Sequence, residues 1–146
     1  MSDATFLTWP FFEDRHRALA ADLDKWAARE LAHVDHTDTD SACRALVRSL
    51  GEGGWLKHAA VDPNRTGSLD VRTLFLIRET LARHDGLADF AFAMQGLGTG
   101  AISLFGTTAQ KEAWLPLIRT GQAISAFALT EPSSGSDVAN STMTAT

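Results

Sequence analysis

Apolar positions recur every three or four residues through most of the chain, the spacing of one face of an α-helix. In WPFFEDRHRALAADLDKWAARELAHV, Phe12, Leu19, Leu23, Trp26 and Leu31 keep that spacing. Pro10 stands where a first helical turn tolerates a missing N–H, and acidic residues follow closely. A second helix is expected from about Ser41 to Leu50, capped by Asp40 and ended by the Gly51–Gly54 region. AAVDPNRTGSLD reads as a loop, with Pro63, Asn64 and Gly67 as turn residues. Ser68 or Asp70 then starts VRTLFLIRETLARH, whose Leu74, Ile77 and Leu81 form one stripe, and Gly86 closes it off. LADFAFAMQGLGTGAISLF is apolar nearly all round, which predicts a central helix ending at Gly106. Thr107 caps a short helix, TAQKEAWL, that stops near Pro116. Only AISAFALT reads as a strand, with Ser125, Phe127 and Leu129 on one face and Ala126 and Ala128 on the other.

The predicted fold is therefore all-α: five to six helices, followed by the first strand or strands of an incomplete β-domain. A lone strand cannot satisfy its own backbone groups. It must pair with other chain or another molecule, which first suggests a piece of something larger.

Composition narrows the function classes. The 146 residues are the size of one ordinary domain, and 45% are hydrophobic, enough for a real core. Thirteen basic against 18 acidic side chains leave a net charge of −5, which disfavours a nucleic-acid partner. Cys43 stands alone, excludes an internal disulfide, and reads as a small buried apolar residue in a reducing compartment. Neither a signal peptide nor a membrane span is visible, so a cytoplasmic location is expected.

Three stretches carry candidate chemistry. HVDHTDTD, His33–Asp40, has imidazoles and carboxylates at metal-ligand spacing, but a solvated helix end with a capping aspartate is the expected reading and no metal is assigned. GLGTG, Gly96–Gly100, follows no strand and so is not a dinucleotide loop; close helix packing and a cavity for an apolar ligand both remain open. Trp9, Trp26, Trp55 and Trp114 are read as core or interface anchors, and Arg78, Glu79, Arg83, His84 and Asp85 as a solvated face. In FALTEPSSGSD, Glu131 is held extended by Pro132, and SSGSD offers backbone amides, three hydroxyls and a permissive glycine. Local physics allows an anion-binding nest or an ordinary turn there.

FALTEPSSGSD closely resembles the signature of the acyl-CoA dehydrogenase family, TEP followed by two small residues and GSD. FGTTAQKEAWLPLIRTGQAISA is similar to that family's segment upstream of the signature, at the right spacing, and RALVRSLGEGGWLKHAAV is similar to its early helix and Gly-Trp turn. The resemblance runs from about Cys43 onward. It implies a helical N-terminal domain over residues 1–122 and the start of a β-domain over 123–146, with FAD at their join. By resemblance, the backbones of Phe127 and Leu129, with Thr130, contact the isoalloxazine. Gly135 and Ser136 lie along the ribityl chain and pyrophosphate, and Ser136 is also near the CoA of the substrate. Met94, Leu97, Gly98 and Ala101 line the acyl cavity. The implied chemistry is α,β-dehydrogenation of an acyl-CoA thioester in fatty acid metabolism, with electrons passing to an electron-transfer flavoprotein. The complete family member is expected to form a homo-oligomer.

The family's catalytic glutamate lies in a later helical domain, so no catalytic residue is assigned here. Glu131 is expected to be structural, and NSTMTAT resembles the opening of a further strand. The resemblance thus implies an N-terminal fragment, inactive alone. An acyl-CoA oxidase of the same superfamily, or a non-catalytic helical module paired with a separate chain, are the alternatives.

Overall fold

The computed structural model describes residues 4–64 and 68–144. Among them are five α-helices and no strand: α1 (Asp14–Glu30), α2 (Thr39–Glu52), α3 (Val71–His84), α4 (Gly86–Phe105) and α5 (Thr108–Arg119). Short 3-10 turns lie at Thr5–Thr8, Leu56–His58 and Val138–Asn140. The helices pack α1 on α3, α3 on α4, and α4 between α2 and α5, so α4 is the central element its apolar sequence predicts.

The helix ends follow capping chemistry, not always at the expected residue. α1 starts after Pro10, at Asp14, because Glu13 forms a capping box with His16; Pro10 lies outside the helix. Asp38, rather than Asp40, caps α2, its carboxylate accepting from the amides of Asp40 and Ser41. Asp70 caps α3 as expected, through Arg72 N–H. Gly86 begins α4 instead of separating two helices, because Asp85 both ends α3 and caps α4 through Ala88 N–H at 2.9 Å. Thr107 and Gln110 form the capping box of α5. That helix runs through Pro116 to Arg119, and Thr120 bonds back to the Pro116 carbonyl through its amide and its hydroxyl. Gly67 lies outside the described residues.

The core joins Leu23 and Ala27 of α1, Leu46 and Leu50 of α2, Ile77 and Leu81 of α3, and Phe92 of α4. Leu56 fills it from the intervening turn, and Trp26 meets Trp55 edge to face at 5.9 Å. The turn that follows α5 packs against α2 through glycines. A Cβ on Gly51 would lie 2.3 Å from the Thr120 carbonyl oxygen, and Gly121 adopts φ 73°, which L side chains rarely take.

Of the charged residues around the α3–α4 corner, Arg78, Arg83 and His84 are exposed as expected and Asp85 is not, and several also tie helices together. Arg78 grips Asp89 with two hydrogen bonds of 2.9 Å, and His84 meets Asp24 of α1 at 2.9 Å. Asp85 is buried and pairs with His36 at 2.8 Å. At the other end of α1, the buried His16 ring accepts from Glu13 N–H and meets Asp70 at 3.0 Å. Burial pushes the Asp70 carboxyl up, but hydrogen bonds from His16, Thr73 and Arg15 together hold it well below the usual carboxylate range. Helical periodicity locates such residues on a helix but not their partners sixty residues away.

The expected strand at AISAFALT forms no ladder, since the described residues hold no other strand for it to pair with. Residues 141–144 likewise join no ladder, and the only β-type bridge among the described residues joins Glu131 to Ser134.

Candidate functional site

The site is built where the chain leaves α5 and crosses α4. Ala123 N–H bonds to the Leu117 carbonyl at 3.1 Å, which turns residues 123–126 across the central helix. There the buried Gln95 meets them. Its Nε2 donates to the Ala123 carbonyl at 2.9 Å, and its Oε1 accepts from Ser125 N–H at 2.8 Å. The Ser125 hydroxyl bonds back to the Met94 carbonyl at 3.0 Å. Contact is closest at Gly98, where a Cβ would lie 2.7 Å from Ser125 Cβ and 2.8 Å from the Ala126 amide nitrogen. The close-packing reading of the glycine stretch therefore holds at Gly98. Gly100 has nothing within 4 Å of where its Cβ would be. Gln95 was not singled out from the sequence; its signal is that of one amide side chain in an otherwise apolar helical turn.

The predicted site residues lie along this crossing. Met94 joins Phe90, Ile124 and Phe127 around an apolar cavity of about 280 Å³ beside Cys43. Leu97 lines a separate apolar hollow of about 320 Å³ with Leu74, Phe92 and Gly96. Gly98 lies beneath Ser125, and Ala101 is exposed one turn further on. The four helical residues thus do not share one pocket.

Beyond Ala126 the segment stands clear. Phe127 and Leu129 are 55% and 46% exposed, and among the described residues no backbone hydrogen bond engages positions 126–130. The chain then folds on itself. Glu131 and Ser134 exchange amide-to-carbonyl bonds of 2.8 and 3.1 Å, closing a turn around Pro132 and Ser133. The amides of Gly135 and Ser136 follow it without a partner among the described residues, and Gly135 faces open space. Glu131 is spent holding the chain that follows. Its carboxylate accepts from Thr142 N–H at 2.8 Å, Met143 N–H at 3.0 Å and the Ser141 hydroxyl. Those bonds, the Ser141 hydroxyl first, lower its pKa to about 2.

Two other places were candidates. His36 and Asp38 of HVDHTDTD are committed to Asp85 and to capping α2, and among the described residues no cluster of three metal-ligating side chains occurs. A more polar cavity of about 450 Å³ adjoins His58, Asp62 and Arg119. Burial, then Lys57 and Arg119, push the His58 imidazole down to about 4, and the Arg119 guanidinium is already bonded to the Lys57 and Ala60 carbonyls and to Asp62.

A central apolar helix packed against α2, α3 and α5, crossed by a segment with an open backbone and then an amide-bearing turn, defines a class: a helical domain with a non-helical segment clasped across its central helix. Comparison gives the family. The profile of the acyl-CoA dehydrogenase N-terminal domain matches residues 13–122, and the chain belongs to that family. A probable acyl-CoA dehydrogenase of Bacillus subtilis is 33% identical over 92% of this chain and 23% of its own length. The mitochondrial very long-chain specific acyl-CoA dehydrogenase of Rattus norvegicus is 46% identical over 53% of this chain and 12% of its own. The crystal structure of an acyl-CoA dehydrogenase complexed with FAD from Bacillus anthracis superposes with a TM-score of 0.74 at 29% identity. That match covers 97% of this chain and 27% of the solved one. The chain therefore spans less than a third of each of these relatives. None of its described helices is long and apolar enough to cross a membrane.

Proposed function

We propose that this chain supplies the N-terminal helical domain and the first flavin-contacting segment of an FAD-dependent acyl-CoA dehydrogenase acting on an acyl-CoA thioester. The observation that carries this reading is the open backbone of residues 126–130, anchored at one end to α4 and followed by an amide-bearing turn. A flat ring needs an unpaired backbone edge beside it, and a pyrophosphate needs unpaired amides. Both are offered in the order that the family signature FALTEPSSGSD requires.

In this reading the Phe127 and Leu129 backbones and Thr130 hold the ring, while Gly135 and Ser136 hold the ribityl and pyrophosphate. Ser136 also meets the CoA portion. Of the helical residues, Met94 faces the acyl chain from the cavity it shares with Phe90, Ile124 and Phe127, Gly98 contributes by keeping the crossing close, and Leu97 and Ala101 lie outside that cavity. Bound there, FAD supplies the hydride acceptor for the β-hydrogen of the thioester. Glu131 is not the base that takes the α-proton, because its carboxylate is occupied by residues 141–143. In this reading an electron-transfer flavoprotein takes the electrons and the protein forms a homo-oligomer.

A second reading is favoured by one observation. Phe90, Leu97 and Leu104 of α4, and Phe105 beyond them, are more than half exposed, as is Trp114 of α5. A separate chain covering that face would make this a non-catalytic helical module. Titrating the purified chain with FAD, by absorbance and native mass, separates the two. A shifted flavin spectrum in a defined species supports the flavin site. No uptake, with a stoichiometric complex to another protein, supports the module.

A further inference from the structure

We propose that the Gln95 side chain acts as a surrogate strand that fixes the flavin-contacting segment on the helical domain. This rests on the flavin-site reading above. A parallel ladder has a simple local form: one residue's partner donates to the carbonyl before it and accepts from the amide after it. The Gln95 carboxamide reproduces that form about Ile124, donating to Ala123 and accepting from Ser125. The opposite amide orientation would set donor against donor and acceptor against acceptor, so the orientation follows from the network.

Three features give the contact more weight than a stray hydrogen bond. Gln95 is fully buried, so losing it strands the two backbone groups it now satisfies. Ser125 adds a second tie, from its hydroxyl to α4 carbonyls. Gly98 lets the backbone descend to within that reach. Immediately beyond, residues 126–130 have no backbone partner among the described residues, so the height and tilt of Phe127–Thr130 are inherited from the clasp. Gln95 is thus a positioning residue, acting on the ligand through Ser125 and Phe127.

The test uses the whole chain and three variants of one side chain. Gln95→Met removes both bonds at similar volume. The Ser125 amide should lose about tenfold or more of its hydrogen-exchange protection, and FAD affinity should fall by a similar factor. Gln95→Glu adds a readout that packing alone would not move. The carboxylate can accept from Ser125 but repels the Ala123 carbonyl, whereas the neutral acid can donate to Ala123, and burial raises its pKa. Ser125 protection, corrected for intrinsic exchange, should therefore rise in this variant from pH 8 to pH 5 and stay flat in Gln95→Met. Gln95→Asn, one methylene shorter, should recover part of the protection. If Gln95→Met loses its helical circular dichroism, the pH response of Gln95→Glu decides. Unchanged Ser125 protection in Gln95→Met, or a flat pH response in Gln95→Glu, overturns the clasp. Lost protection with unaltered FAD affinity and spectrum overturns the positioning role. Should the wild-type chain take up no FAD while Ser125 behaves as described, the flavin reading falls and the clasp stands.

Discussion

Single residues set the geometry of this site, and glycine illustrates how position decides sign. Gly98 and Gly100 sit one turn-fraction apart on α4. At Gly98 a methyl group meets Ser125 Cβ at 2.7 Å and the Ala126 backbone at 2.8 Å, and neither can swing aside without moving the chain. Gly98→Ala should cost about 1–3 kcal/mol from overpacking, partly offset by about 1 kcal/mol of helix propensity. Gly100 meets nothing within 4 Å, so Gly100→Ala should stabilise by about 0.5–1 kcal/mol. Urea denaturation of the pair checks both; equal signs would contradict the crossing. Glu131 offers a titration. Its folded pKa, about 2, lies below the ordinary value of 4.5, so its hold on residues 142 and 143 is fully present above about pH 4.5. That hold is lost as the pH falls through 2. The Thr142 and Met143 amide resonances should shift together with that midpoint, and Glu131→Gln should abolish the step.

The elements show which parts of this organisation were legible beforehand. The cap of α5 is Thr107 as expected: of the two adjacent threonines it is the one three residues before Gln110, which closes the capping box. Where oxygens crowd, as in HTDTD, the order along the chain does not say which carboxylate faces the free amides, and the true cap was Asp38. Pro116 predicts a stop, yet the helix absorbs it and runs on to Arg119, where Thr120 bonds back to the Pro116 carbonyl. The strand was misread for an instructive reason. Alternation predicts a strand over residues 123–130, but strand pairing is a property of two partners, and the partner found for Ala123 and Ser125 is one side chain of a helix. The family, by contrast, is legible because the stretches that carry the resemblance are contiguous, and the matching family profile spans residues 13–122. Asp85 joins two elements at once, capping α4 and pairing with His36 while buried. Asp85→Ala should cost about 1–3 kcal/mol and fray the start of α4, seen as faster exchange at Ala88.

At the scale of the molecule, α4 is inverted along its second half. Gln95, Thr99 and Ser103 face inward and are buried, while Leu97, Leu104 and Phe105 face outward and are more than half exposed. An apolar face of that kind is stable in water only when covered. The chain alone should therefore self-associate with rising concentration in sedimentation velocity, and Leu97→Glu with Phe105→Glu should return it to monomer. A wild-type monomer at every concentration would mean that water tolerates the face. The four tryptophans divide along the same line. Trp26 and Trp55 are locked edge to face against the core, whereas Trp9 and Trp114 are 55% and 54% exposed. Excited near 295 nm, the protein therefore carries two emitting populations. A soluble collisional quencher would dim one and spare the other, so a single cuvette distinguishes covering of the outer surface from melting of the interior.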